Sequence, residues 1–284
     1  MKAEVDCIPC MFKQALNTAR VITDDPKVHR EILAKVAECI AELEIDQTPA
    51  AMSQPAYKIV SEVTGVSDPY ADAKKESNEV AMQLSDEFEE WIEQTDDSLD
   101  AALHIAAAGN VIDLGAGHKF DIEKDVRELM AQPFAISSIE QFRQELKPGV
   151  KVLYLGDNAG EIVFDCLLVK QLLQCGADVT FTVKSGPIIN DATITDAEFV
   201  GMTDLVTVIE TGGADIGVNW ENVSDEFFAA FKNADIIISK GHGNFETCNE
   251  CSENIYFLLK AKCELVANII GVTLGDIVFK SNRV

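Results

Sequence analysis

After Pro148 and Gly149, short β-branched runs alternate with helical segments, and no other feature limits the fold of this chain as much. The spacing predicts strands over 151–155, 179–183, 205–209, 235–239 and 264–270, with a final edge strand over 276–279. Between them it predicts helices over 162–173, 194–199, 227–231 and 255–259. Strand and helix in alternation build parallel βαβ units with right-handed crossovers, so this half reads as α/β, a doubly wound, mostly parallel, Rossmann-like sheet. Ligands of such sheets bind beyond the carboxyl ends of the strands. Chemistry is therefore expected in the residues that follow each strand.

The segment before residue 148 is patterned differently. Asp24, Asp25 and Pro26 read as a cap and first turn, followed by apolar positions at Val28, Ile32, Leu33, Val36, Ile40 and Leu43. A second long helix starts near Asp68 and Pro69 and carries Val80, Leu84, Phe88, Trp91 and Ile92, with its acids on the opposite, solvated face. A third apolar stretch, 103–108, ends at Gly109 and Asn110, and shorter helices follow at 126–130 and 139–146. The expected organisation is an all-helical domain over 1–147 and an α/β domain over 148–284.

Three strand ends hold most of the chemistry. The first runs into Gly156-Asp157-Asn158-Ala159-Gly160-Glu161. A dinucleotide fold needs three glycines here so that backbone can approach a pyrophosphate; this turn has two, at another spacing, and an acid at its centre. A bare carboxylate repels phosphate, but a divalent cation between them removes the conflict, since Asp and Asn oxygens suit Mg²⁺ or Mn²⁺. Helix capping by Asp157 and Asn158 is the competing reading. The second strand leads into Lys184-Ser185-Gly186-Pro187-Ile188-Ile189-Asn190-Asp191, where Asn190 and Asp191 form another such pair that one cation can share with the first. The fourth leads into Lys240-Gly241-His242-Gly243-Asn244-Phe245-Glu246. Residues 151–250 hold five lysines and sixteen acids, and two of the five, Lys184 and Lys240, follow strands directly. A lysine flanked by glycines that expose backbone amides is what a phosphate needs; for Lys184, a solvated turn lysine fits equally well.

Together these loops resemble the metal-dependent damage-control phosphatases, the family once catalogued as domain of unknown function eighty-nine. The Cys7-Ile8-Pro9-Cys10 pair resembles its mainly archaeal and bacterial CxxC branch, and the likeness extends through Ala108-Gly109-Asn110-Val111-Ile112-Asp113. The resemblance implies Asp157, Asn158 and Asp191 as metal ligands, Lys240 as the phosphate-binding lysine, and hydrolysis of small phosphate monoesters, sugar phosphates among them, with Mg²⁺, Mn²⁺, Co²⁺ or Ni²⁺. Asp157 and Asn158 with Lys240 are then the catalytic candidates. Gly160, Glu161, Ser185, Asn190, Gly241 and Asn244 are candidates for the substrate cradle, as are Asn110 and Asp113, although a helix C-cap explains Asn110 equally. Ala159 stands two residues after Asp157, where a phospho-aspartate mechanism of the DxD kind needs a second acid.

Cys7 and Cys10, with Cys248 and Cys251, are two CxxC pairs able to form a four-thiolate zinc site if they converge; a redox dithiol at the first pair is the other reading. Cys39, Cys166, Cys175 and Cys263 read as small core residues. Of four histidines, His29 and His104 read as helix residues, His118 as loop surface, and His242 alone is placed near the chemistry. Eight cysteines without a secretory signal point to reduced thiols of the cytoplasm, and no run reaches the roughly 18 apolar residues of a membrane span. A net charge of −25, from 23 basic and 48 acidic side chains, argues against nucleic acid or an anionic membrane as partner. The expected partner is a small phosphorylated metabolite, and the rival readings are a nucleotide-binding α/β protein and a non-enzymatic thiol-metal protein.

Overall fold

The computed structural model describes residues 1–43, 45–109 and 132–283. Five helices come first: α1 (Cys7–Ile22), α2 (Pro26–Glu42), α3 (Pro49–Thr64), α4 (Ala71–Gln94) and α5 (Ser98–Gly109). Asp25 and Thr48 cap α2 and α3 by accepting the Lys27 and Ala51 amides, with proline at each first helical position. After the undescribed segment come β1 (Ile136–Ser137), α6 (Ile139–Glu145), β2 (Lys151–Leu155), α7 (Glu161–Gln174) and β3 (Asp178–Val183). Then follow α8 (Ile194–Phe199), α9 (Met202–Leu205), β4 (Thr207–Glu210), α10 (Asp225–Asn233), β5 (Ile236–Lys240), α11 (Gly241–Cys248), β6 (Ile255–Lys260), α12 (Glu264–Ile270) and β7 (Ile277–Ser281).

The sheet order is β1-β7-β6-β5-β2-β3-β4. Strands β2 to β6 are parallel to one another, β7 is antiparallel to β6, and β1 joins the far side of β7. From β2 the chain winds outward through β3 and β4, then returns to add β5 and β6 on the other side. The switch point therefore lies between β2 and β5, and a ligand crevice opens beyond their carboxyl ends.

Successive strand residues face opposite sides, and both sides are buried. Val152, Tyr154, Phe181, Ile238 and Tyr256 pack with α5 and α7, while Leu153, Leu155, Ile237 and Phe257 pack with α10, α11 and α12. A third, separate core of Met11, Ala15, Ile32, Val36, Ala56 and Val60 joins α1, α2 and α3. Among the described residues no helix is long and apolar enough to cross a membrane.

Two elements have the opposite character from that predicted. Residues 255–259 form β6, not a helix, and residues 264–270 form α12, not a strand. The Ile-Tyr-Phe-Leu-Leu run is buried on both faces, and a short continuous apolar run has no period to separate strand from helix. Helix α12 ends at Gly271 in the left-handed conformation, φ +87°, a stop signal that was present in the sequence. The strand over 276–279 is not at the edge: β7 lies between β6 and β1, and β1 belongs to the segment read as all-helical. The strand expected at 205–209 starts later, because Met202–Leu205 closes a helical turn. The helix expected at 126–130 lies outside the described residues.

Helix α7 is the pivot between the helical segment and the sheet. Phe164, fully buried, meets Phe88 of α4 edge-on at 5.6 Å, and a Cβ on Gly109 of α5 would lie only 3.1 Å from its ring. Phe164→Ala leaves a cavity at this three-helix contact and should cost about 3–5 kcal/mol in chemical denaturation.

Candidate active site

Gly156 ends β2 against Phe181 and the Thr182 carbonyl, where a Cβ would come within 2.8 Å of both. The chain then turns into the crevice. The loops after β2 and β3 are joined by backbone: Ala192 N donates to Asp157 O at 2.8 Å, Ala159 N to Asn190 O at 2.9 Å, and Asn158 and Asp191 form an antiparallel bridge. This brings the two acid–amide pairs together.

The carboxylates crowd one another. Burial pushes Asp157 well above the usual carboxylate range, Glu161 and Asp191 add to the shift, and Lys262 and Lys240 oppose it. Asp191 is pushed up to about 6 by burial, with Lys184 opposing and Glu161 reinforcing. Asn158 Nδ2 donates to Asp157 Oδ2 at 3.1 Å and to Glu161 Oε1 at 2.7 Å, leaving Oδ1 as its ligand atom. Among the described residues no three His, Cys, Asp or Glu side chains gather as a cation cage. The set at hand is instead two carboxylates and one carboxamide, hard oxygen donors whose mutual repulsion a divalent cation would relieve. The residues present thus fit such an ion.

Lys240 is the last residue of β5 and is fully buried. Its Nζ donates to Asp165 Oδ1 at 2.7 Å and Glu161 Oε2 at 3.1 Å, and Tyr154 Oη donates to the same Asp165 oxygen at 2.6 Å. Burial works against its charge, but Asp165 and then Glu161 outweigh that and raise its pKa. Asp165 itself is pushed up to about 6 by burial, with Lys240 pulling the other way. Glu161 is consequently a clamp between Asn158 and Lys240.

Gly241 has φ +75°, and a Cβ there would lie 1.9 Å from Asp157 Oδ2. Helix α11 begins at this glycine, and its N-cap residue Lys240 gives it no side-chain hydrogen bond. The N-terminus of α7 differs: Gly160 N donates to Asn78 Oδ1 at 2.6 Å, and the Ile162 and Val163 amides bond to Asn158 O and Gly160 O. The Gly160, Ile162 and Val163 amides are thus already bonded within the protein. Asn244 ties Gly156 O to Lys240 O through its Nδ2, and Ser185 Oγ accepts the Gly212 amide, so both hold backbone. Lys184 is 3% exposed, donates to Gly217 O and lies 3.6 Å from Asp191 Oδ2; it is not a solvated turn lysine. Asn110, Asp113 and His118 lie outside the described residues.

Lys262, Asn78 and Asp165 escape the sequence reading. Lys262, just past β6, is near enough to steady the charge of Asp157, but the misassigned strand hid it. His242 Nε2 accepts the Lys262 amide at 2.9 Å, and burial lowers the imidazole pKa to about 4, so a neutral His242 anchors this loop. Asn78 of α4 holds Gly160 and donates to Asp196 Oδ1 at 2.9 Å; its helix is studded with polar residues, and nothing marks it out. Asp165 was detectable as an acid one turn after Glu161 inside an otherwise apolar helix.

The thiols do not form one cluster. Cys10 is raised by burial and then by Cys7 and Cys263, so the start of α1 does not activate it. Cys251 bonds instead with Cys248, which lowers Cys251 and, together with burial, raises Cys248. The four-thiolate arrangement is therefore not assembled among the described residues. His29 and His104 bond backbone carbonyls within the helical segment, as read.

A family profile described as the damage-control phosphatase ARMT1-like domain matches residues 3–278. The chain belongs to this family. It is 36% identical to a damage-control phosphatase of Archaeoglobus fulgidus over 99% of both chains. It is 34% identical to a damage-control phosphatase of Pyrococcus horikoshii, over 100% of this chain and 99% of that one. The crystal structure of a DUF89 family protein from P. horikoshii superposes with a TM-score of 0.92 at 34% identity, covering 99% of each chain. That match has the same mixed α/β architecture as this chain, and the family membership agrees with the resemblance drawn from the three loops.

Replacing Lys240 by Met leaves Glu161 and Asp165 buried without their counter-charge and should cost about 3–5 kcal/mol of stability in denaturant titration. Glu246 on α11 provides a pH test. Burial raises its carboxyl from 4.5 to about 7, against the Ala50 amide and the chain's amino terminus. A raised acid binds its proton more tightly when folded, so its contribution is complete below pH 4.5 and is lost as pH rises to 7. Glu246→Gln should remove that slope and stabilise the protein at pH 8 by on the order of 3 kcal/mol, measured by denaturation at pH 5 and pH 8.

Proposed function

We propose that the chain is a metal-dependent phosphomonoesterase of small phosphorylated metabolites, working at the crevice between β2 and β5. The observation that carries this reading is the meeting of half-buried Asp157 and Asn158 with buried Asp191 beside the start of α11. The damage-control phosphatases among its relatives support the reaction class.

Asp157, Asn158 and Asp191 would hold a divalent cation, which when bound supplies charge neutralisation and a more acidic water. The rest falls to the chain. The amides of Gly241, His242 and Gly243 point a helix N-terminus at the phosphoryl oxygens, and Gly241 alone permits so close an approach to Asp157. Lys262 adds positive charge from the β6 side. Lys240 fixes Glu161, which fixes Asn158, so its charge sets the site from beneath. Asp157, already prone to bind a proton, is placed to orient the attacking water and take its proton.

The test is hydrolysis of p-nitrophenyl phosphate with Mg²⁺, Mn²⁺, Co²⁺ or Ni²⁺ added in turn. Asp157→Asn and Asp191→Asn should each lower kcat about a hundredfold or more while thermal melting shows the fold retained. Activity that survives chelation, or Asp157→Asn at full rate, refutes the reading.

A further inference from the structure

A cavity of 620 Å³ lies between α3, the turn before α4 and the loop that ends in Asp191. Its walls include Pro55 and Tyr57 of α3, Pro69 and Tyr70 before α4, and Ile188 and Ile189 of the loop that ends in Asp191. Ile189 is held at φ +47°, a conformation that β-branched residues avoid, three residues after the Ser185-Gly186 turn and two before the acid. The Asp191 amide donates to Ile188 O at 3.1 Å, so the wall and the acid are parts of one turn.

About half of the polar side chains around this cavity are spent on other protein groups. Thr18 Oγ1 and Tyr70 Oη share a hydrogen bond of 3.0 Å. Gln54 donates to Ala214 O and accepts the Ile216 amide, using both ends of its carboxamide. Asp68 pairs with Lys74 at 2.9 Å and accepts the Tyr70 amide. The Ser61 and Ser67 hydroxyls remain, and Lys58 stands at the rim with its side chain 78% exposed. Tyr57 makes no hydrogen bond among the described residues and presents an aromatic wall close to Asp191.

We propose that this cavity receives the leaving group of the phosphate ester, and that it selects bulky, weakly polar alcohols, aromatic or branched alkyl, over polyhydroxylated sugars. The inference rests on the phosphatase reading of the neighbouring acids. A sugar brings several hydroxyls that lose water on entry, and walls built mainly of proline, isoleucine and tyrosine rings, with the Tyr57, Ser61 and Ser67 hydroxyls as the remaining side-chain partners, return few of those bonds. A ring or branched chain loses none and fills the space against proline, tyrosine and isoleucine. The phosphoryl group then lies at the Asp191 end, with the alcohol pointing toward α3.

The experiment compares kcat/KM for phenyl and 2-naphthyl phosphate with that for glucose 6-phosphate and ribose 5-phosphate at saturating Mn²⁺. In parallel, calorimetry without turnover compares phenylphosphonate with the phosphonate isostere of glucose 6-phosphate. The aryl compounds should be preferred about tenfold or more in both measurements. Ala51→Trp, which fills the cavity from an exposed position on α3, should lower the 2-naphthyl to ethyl phosphate ratio about tenfold. Should that variant fail to fold, Ser61→Leu should widen the aryl-over-sugar ratio. Equal or better use of sugars in kinetics and binding overturns the proposal. If no ester is hydrolysed with any metal, the phosphatase reading fails, and the phosphonate binding order still decides what the cavity takes.

Discussion

Everything at the crevice depends on one buried charge arrangement. Lys240 ends β5 with no exposure and meets Glu161 and Asp165, one turn apart on α7. A lysine taken wholly out of water is costly unless partners satisfy it, and two carboxylates do so here, one of them held in turn by the Tyr154 hydroxyl. The same contact fixes how α7 sits over β5, hence where its first turn presents Glu161 and Asn158. Above that layer burial, and then the mutual repulsion of Asp157, Glu161 and Asp191, raises the carboxyls of Asp157 and Asp191 despite the lysines nearby. Stable electrostatics below and unresolved repulsion above are what a cation site requires.

The sequence disclosed the site more fully than the fold around it. Short polar motifs placed directly after β-branched strands are tied to the chain by a residue or two, so Asp157, Asn158, Asp191 and Gly241 could be located from spacing alone. Their convergence is a backbone property: the Asn158–Asp191 bridge needs only that β2 and β3 be neighbours and parallel. Lys240 was located correctly, but its partners were not, because a buried ion pair spans 75 and 79 residues of sequence. The swapped identities of β6 and α12 have a related cause. Central strands lose the alternation that marks a half-exposed strand, and a seven-residue helix has too few turns to show its own. That error concealed Lys262, whose place is set by the end of β6.

The helical segment does more than cover the sheet. Asn78 reaches from α4 to the Gly160 amide, and its other end is held by Asp196 on the far side of the β3 loop. One carboxamide thus spans α4, the start of α7 and the start of α8. By occupying the Gly160 amide it takes one donor of the α7 start out of play, whereas the start of α11 lies against Asp157 without a side-chain cap from Lys240. The difference follows from hydrogen-bond accounting: a helix amide already satisfied by protein has nothing left for a phosphate.

The excess of 25 negative charges also takes on a local meaning. Acids on exposed helix faces keep the surface polar, while those at the switch point face inward and make phosphate unwelcome until a cation is present. Affinity for an anionic ester therefore has to come from the metal, from the few cations and amides around Gly241, and from contacts the phosphate does not make. In a protein of this charge the last source carries unusual weight, because the general field repels any phosphate at long range. The cavity next to the loop of Asp191, walled largely by proline, tyrosine and isoleucine, is suited to contacts that do not depend on that field. On the proposed reading, selectivity among esters falls to the α3 side of the molecule, and the chemistry common to all of them to the sheet.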